Sequence, residues 1–236
     1  MNPANIARAT LAAAVLMLAA GPLHRFGLIG WQASLGLFVG AALLAGLGAA
    51  WCLYQLLRRR GGTITVIAAA AGFAAAAIPI AVVFNASDKP PINDISTDTT
   101  NPPAFVAIDA ALRGPDASPL EYNPAFAPQQ ARAYPLVRPL DLPLDAGKAF
   151  DVAMGAVDKD WQIILADRAA GRIEAVERSL WWGYRDDIVI RLTATPTGTR
   201  VDVRSKSRVG ESDLGANARR IAAYLDRVAA EMRKAG

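Results

Sequence analysis

The sequence predicts an α+β protein: two or three N-terminal transmembrane helices, then an antiparallel-sheet domain covered by helices, in the order β-α-β-β-β-β-α. Three observations carry this. All 21 acidic residues lie after Ser87, and the part before it holds five Arg and no Lys. Within that part, residues 35–57 and 63–84 are uncharged runs of 23 and 22 residues, each long enough to cross roughly 30 Å of hydrocarbon. From residue 137 onward, apolar residues recur first at helical, then at strand, then again at helical spacing.

Residues 1–87 form the expected transmembrane region, with spans at about 9–23, 35–57 and 63–84. The first apolar run has only 15 residues and ends at small residues near Gly21 and Pro22, so it reads either as a short span or as the core of a signal peptide. Arg58, Arg59 and Arg60 stand together between the two long runs. The positive-inside rule keeps such a cluster in the cytoplasm, so the following span leads outward and places the rest of the chain on the periplasmic, extracytoplasmic side of an inner (plasma) membrane. Gly36 and Gly40 allow a close helix approach, either within the chain or between chains.

Residues 88–136 read as a Pro-rich tether. The stretch 88–143 holds 11 of the 15 Pro, a density that forbids long helices. Phe105, Val106, Ile108, Tyr122, Phe126 and Tyr134 give it apolar residues, so part of it is expected to wrap the domain. Residues 137–236 are the expected α+β domain. A strand at 137–142 leads to a helix opened by Leu144-Asp145, with Phe150, Met154 and Val157 on one face. Strands at 161–167 and 172–179 are joined at Ala170-Gly171. A hairpin follows, turning at Pro196 to Gly198, in which Val201 and Val203 alternate with Arg200, Asp202, Arg204 and Lys206; one of its faces is expected to be wet. Leu214, Ala218, Ile221, Leu225, Val228 and Met232 then repeat at spacings of three and four, which makes a long amphipathic helix across the sheet's apolar face.

Composition excludes several functions. The tail carries 20 basic and 21 acidic residues, so the excess of positive charge belongs to the membrane segment and does not point to nucleic acid. His24 and Cys52, the only His and Cys, both precede the tail. The tail therefore lacks the parts of a Ser-His-Asp or Cys-His set, a zinc site of the usual kind, a His-ligated haem or an internal disulfide. No catalytic set, metal or cofactor is assigned. Asp186, Asp187, Glu211 and Asp213 lack the spacing of a calcium loop. Trp181-Trp182-Gly183-Tyr184 reads as an aromatic platform or as packing at a strand crossing.

The segment from the last strand to the last helix is the expected ligand-binding site, with Ser205, Ser207, Arg208, Gly210, Asp213 and Asn217 as its residues. Ser205 and Ser207 continue the stripe of Val201 and Val203, so the apolar face turns polar towards a helix start. Two hydroxyls, a guanidinium and free N–H groups could meet an anion there. The same residues also serve a purely structural reading, in which Ser212 or Asp213 caps the helix, Gly210 makes the turn and Arg208 pairs with an acid.

Asn93-Asp94-Ile95, Thr97-Asp98-Thr99-Thr100-Asn101-Pro102-Pro103, Tyr134-Pro135 and the run from Asp202 to Asn217 followed by Arg220-Ile221 together resemble the bacterial and plastid domain-of-unknown-function family 1499 (DUF1499). The pattern Ser-Arg-x-Gly-x-x-Asp-x-Gly-x-Asn, from Ser207 to Asn217, is its most specific part. The resemblance implies an envelope location and assigns no reaction. The expectation is a membrane-anchored, non-enzymatic envelope protein whose domain binds an envelope protein partner or an apolar or anionic, lipid-like ligand. Two alternatives stand beside it: an envelope hydrolase using carboxylates such as Asp187, Glu174, Glu177 or Asp213, and an accessory subunit of a membrane complex.

Overall fold

The apolar runs fold as α1 (Pro3–Arg25), α2 (Trp31–Leu57) and α3 (Thr63–Ala86). All three are long and apolar enough to cross a membrane. This computed structural model describes residues 2–235 and divides into two compact units. The first run, 15 residues of uncharged sequence, is extended at both ends into a 23-residue helix, begun by Asn2, whose side chain accepts from the Ala4 N–H, with Pro3 just behind it. Helix contacts within this unit use glycines other than the expected pair. A Cβ on Gly72 would lie 2.4 Å from the Ala45 carbonyl oxygen, and one on Gly48 would lie 2.1 Å from Thr10 Oγ1, whereas Gly36 and Gly40 meet nothing within 4 Å. Ser179–Gly183 also belong to this unit: Arg25 donates to the carbonyls of Ser179 and Leu180 at 2.7 Å, and Trp182 stands edge-on to Phe38.

The second unit is built on a six-stranded antiparallel sheet. Its elements are β1 (Asp94–Ser96), α4 (Ala110–Arg113), α5 (Ala127–Ala133), β2 (Leu140–Leu142), α6 (Ala146–Gly155), β3 (Trp161–Asp167), β4 (Arg172–Arg178), β5 (Arg185–Thr195), β6 (Gly198–Ser207) and α7 (Ala216–Ala235). The strand order is β1-β6-β5-β4-β3, and β2 also pairs with β6. β1 takes Arg204 to Lys206 and β2 takes Thr199 to Val201, so two short strands lie end to end along one edge of β6. The expected strand, helix, four strands and helix are all present. β1 is an addition from within the Pro-rich segment.

Each element has a local cause. Asp145 caps α6 by accepting from the Lys148 N–H at 2.9 Å. Phe150, Val152, Trp161, Ile173, Ile188, Ile190, Val201, Val203, Ile221 and Val228 form one core between the sheet and the helices α6 and α7. Trp161 stacks on Tyr224 at 5.5 Å, and the Tyr224 hydroxyl donates to the Ala153 carbonyl, tying α7 to α6.

The other face of the hairpin corrects an expectation. Asp202, Arg204 and Lys206 are polar in alternation, as read, but they are buried and not wet, at 1%, 3% and 4% exposed. The Pro-rich segment covers them, and its carbonyls are satisfied by the sheet's own arginines. Arg204 donates to Pro103 and Leu120, and Arg208 donates to Leu112. Glu174 on β4 holds the same segment by accepting from the N–H groups of Val106, Ala107 and Ile108 at 2.7 to 3.0 Å.

Candidate functional site

The chain enters α7 through two left-handed residues, Leu214 (φ 53°) and Gly215 (φ 79°). For Leu this conformation costs roughly 1–2 kcal/mol, so something must hold it. Asp213 does so, accepting from the N–H of Gly215 at 2.8 Å and of Asn217 at 2.7 Å. Those N–H groups are thus occupied by the chain's own carboxylate and not left for a ligand. Burial pushes the Asp213 carboxyl above its ordinary value, against the two hydrogen bonds it accepts.

Ser205, Ser207 and Asn217 come together on the core side of β6. Ser205 Oγ donates to Asn217 Oδ1 at 2.7 Å, and Asn217 Nδ2 donates to Ser207 Oγ at 3.0 Å and to the Asn93 carbonyl at 3.1 Å. Gly210, at φ 84°, turns the loop there, and its carbonyl accepts from Asn93. Arg208 does not join them. Its guanidinium lies on the opposite face of the sheet, donating twice to Asp187 Oδ1 at 2.9 and 2.7 Å.

The guanidinium that does reach this cluster, at Ser205 and Asn217, is Arg220. It donates to Ser205 Oγ at 2.9 Å and to Asn217, and it pairs with Glu177 and with Asp186, the latter at 2.6 Å. Burial opposes its charge, but Asp186 and Glu177 outweigh that and raise its pKa. Arg220 also lines an open groove of about 310 Å³ beside α7, with Arg219, Arg227, Trp161, Glu177 and Asp158. Ala216, Arg220, Ala223 and Arg227 fall three and four residues apart, so one helix face supplies most of the wall. Arg227 donates to the Ala156 carbonyl at 2.8 Å and lies over the Trp161 ring at 5.7 Å. Arg219 is exposed, bonds only the Leu214 carbonyl, and has no ion-pair partner among the described residues.

The carboxylates of the hydrolase alternative are each engaged. Glu174 and Asp187 are fully buried, Asp213 caps α7, and Glu177 pairs with Arg220. Asp186 and Asp187 face different partners, and among the described residues no group of three metal-ligating side chains gathers.

Arg219, Arg220 and Arg227 lie outside the expected site because the dominant sequence signal of the last helix is its apolar stripe. The recurrence of Arg at 220 and 227, one heptad apart beside Ala216 and Ala223, is the signal that would have found them.

Neither the curated proteins nor the solved structures yield a match. One family does match, described as a protein of unknown function (DUF1499), over residues 94–228, which runs from β1 into α7 and takes in the serine–asparagine cluster and the arginine groove. With more than half of its length inside that match, the chain belongs to the DUF1499 family.

Proposed function

We propose that this chain is a membrane-anchored binding protein of the cell envelope, whose folded domain lies on the extracytoplasmic side and takes an anionic, lipid-like ligand in the groove beside α7. The observation that carries the reading is Arg219 in the groove: Arg220 is paired with Glu177 and Asp186 and Arg227 with Asp158, whereas Arg219 has no carboxylate of its own. Arginine forks suit a phosphate or carboxylate head, while Ala216, Ala223 and the edge of Trp161 offer apolar contact beside it. The engaged state of Glu174, Asp187, Glu177 and Asp213 supports binding over hydrolysis, since an acid–base pair needs carboxyls free to exchange protons with a substrate.

Complementation of a deletion strain tests this. Arg219→Glu should lose complementation at normal abundance, whereas Glu177→Gln and Asp213→Asn should keep it in proportion to the protein remaining. Loss of complementation by both carboxamide variants at full abundance would favour the hydrolase instead. A second reading, an accessory subunit, is favoured by Gly36 and Gly40, whose open surroundings leave room for a helix of another protein.

A further inference from the structure

The polar face of the sheet carries a second cluster, separate from the groove. Asp94, Lys206 and Asp187 lie in one row across β1, β6 and β5. Asp94 accepts from Arg204 at 2.9 and 2.8 Å and from Lys206 Nζ at 2.9 Å. Asp187 accepts from Arg113 Nε at 2.7 Å and from Arg208. Four cations therefore share two carboxylates, and none of the six residues is more than 7% exposed. Glu174, on the same face, is no counterweight, because three N–H groups and Arg172 already occupy it. Two positive charges are left over in a place where burying an uncompensated charge is strongly unfavourable.

Donors are also left over. Arg113 Nη2 and the Tyr122 hydroxyl are buried without a partner, and Lys206 Nζ uses one of its three hydrogens, on Asp94. Arg113 is close enough to Lys206 for the two charges to repel, and Tyr122 is close enough to Asp94 and Arg204 to feel both. The loop that covers them turns at Gly114 (φ 88°) and is held by Ser118, which donates to the carbonyls of Arg208 and Ser207.

We infer that this cluster is a binding site for one small inorganic oxyanion of the phosphate or sulfate kind, enclosed between β6 and the loop at 113–122 and held by Arg113, Lys206 and Tyr122. A dianion would cancel both surplus charges and accept from the unpartnered donors at once. The site does not depend on the groove beside α7.

The test uses the full chain in non-ionic detergent, equilibrated with inorganic phosphate or sulfate, gel-filtered into chloride buffer and denatured for ion chromatography. The chain should release about one equivalent of oxyanion, and phosphate should raise its melting temperature where chloride at equal ionic strength does not. Lys206→Met should lose the retained anion and need about tenfold more phosphate for the same shift, because it removes a charge and a donor while leaving Arg204 on Asp94. Tyr122→Phe should weaken retention less, and Arg219→Glu should leave it unchanged. No retained oxyanion and identical melting in phosphate and chloride would overturn the site, the surplus charge then being relieved by Lys206 giving up its proton. Loss of retention in Arg219→Glu would overturn it too, by assigning the anion to the groove.

Discussion

Replacing Asp187 with Asn removes one negative charge and almost no volume from the polar face of the sheet. Asp187 is fully buried and takes three hydrogen bonds, from Arg113 Nε at 2.7 Å and from Arg208 Nε and Nη2 at 2.9 and 2.7 Å. Breaking a buried ion pair by removing one partner costs about 3–5 kcal/mol, because the remaining charge stays buried without its counterion. Here two guanidinium groups are left, so the upper half of that range applies. For a protein of this size each kcal/mol moves the melting temperature by about 2–4 °C, which gives a fall of roughly 10–15 °C. Hydrogen exchange of β5 and β6 peptides, read by mass spectrometry on the full chain, measures this without the contribution of the three long helices. Glu177→Gln is the control: its carboxylate is partly exposed and pairs with an arginine that Asp186 also holds, so the cost should stay near or below about 1 kcal/mol. A loss for Asp187→Asn no greater than that of the control would refute the view that this carboxylate holds the loop, α4 and β6 together.

Tyr122 predicts an alkaline effect. Burial holds its hydroxyl up at about 12 against an ordinary 10.0, with Asp94 adding to the shift and Arg204 opposing it. Between those values the folded chain keeps a proton that the unfolded chain releases. The stability tied to this group is therefore whole below pH 10.0 and is lost as pH rises through about 12, and Tyr122→Phe should lose less stability over that window in urea titrations. A fragment beginning at Asp88 should melt cooperatively without lipid, and Ile221→Asp should abolish that melt by burying a charge in the core. A reporter active only outside the cytoplasm, fused to the C-terminus, should be active, and neutral residues at Arg58, Arg59 and Arg60 should weaken that activity; full activity of a cytoplasm-only reporter at the same junction would reverse the assignment.

Local signals account for what was legible in the sequence. The strand at 161–167 is found as read, and the stripe from Ala218 to Val228 faces the core as its spacing requires. The alternation along β6 is also local: Val201 and Val203 fall on one face and Asp202, Arg204 and Lys206 on the other. Period two shows that a face is polar, however, and not that water reaches it. The partners that close this face, Asp94 for Arg204 and Arg113 for Asp187, lie 110 and 74 residues away, beyond any local pattern. β1 is not legible in the sequence because three residues between proline pairs carry little periodicity of their own, and their pairing exists only once β6 offers an edge. Within the expected site, the same alternation separates Ser205 and Ser207 from Arg208, which explains why the serines meet Asn217 while Arg208 meets Asp187. Arg220 takes the place foreseen for Arg208 because it lies within one turn of Asn217 on α7.

Calorimetric titration of the full chain in non-ionic detergent, with soluble short-chain phosphatidylglycerol against the phosphatidylcholine of the same chain length, tests the proposed binding function most directly. The groove predicts saturable binding of the anionic lipid, weak or no binding of the zwitterionic one, and a loss of about tenfold or more in Arg219→Glu with its melting temperature unchanged, since the exposed side chain contributes little to stability. Equal affinity of the wild-type chain for both lipids, or equal affinity of wild type and Arg219→Glu for phosphatidylglycerol, would contradict it.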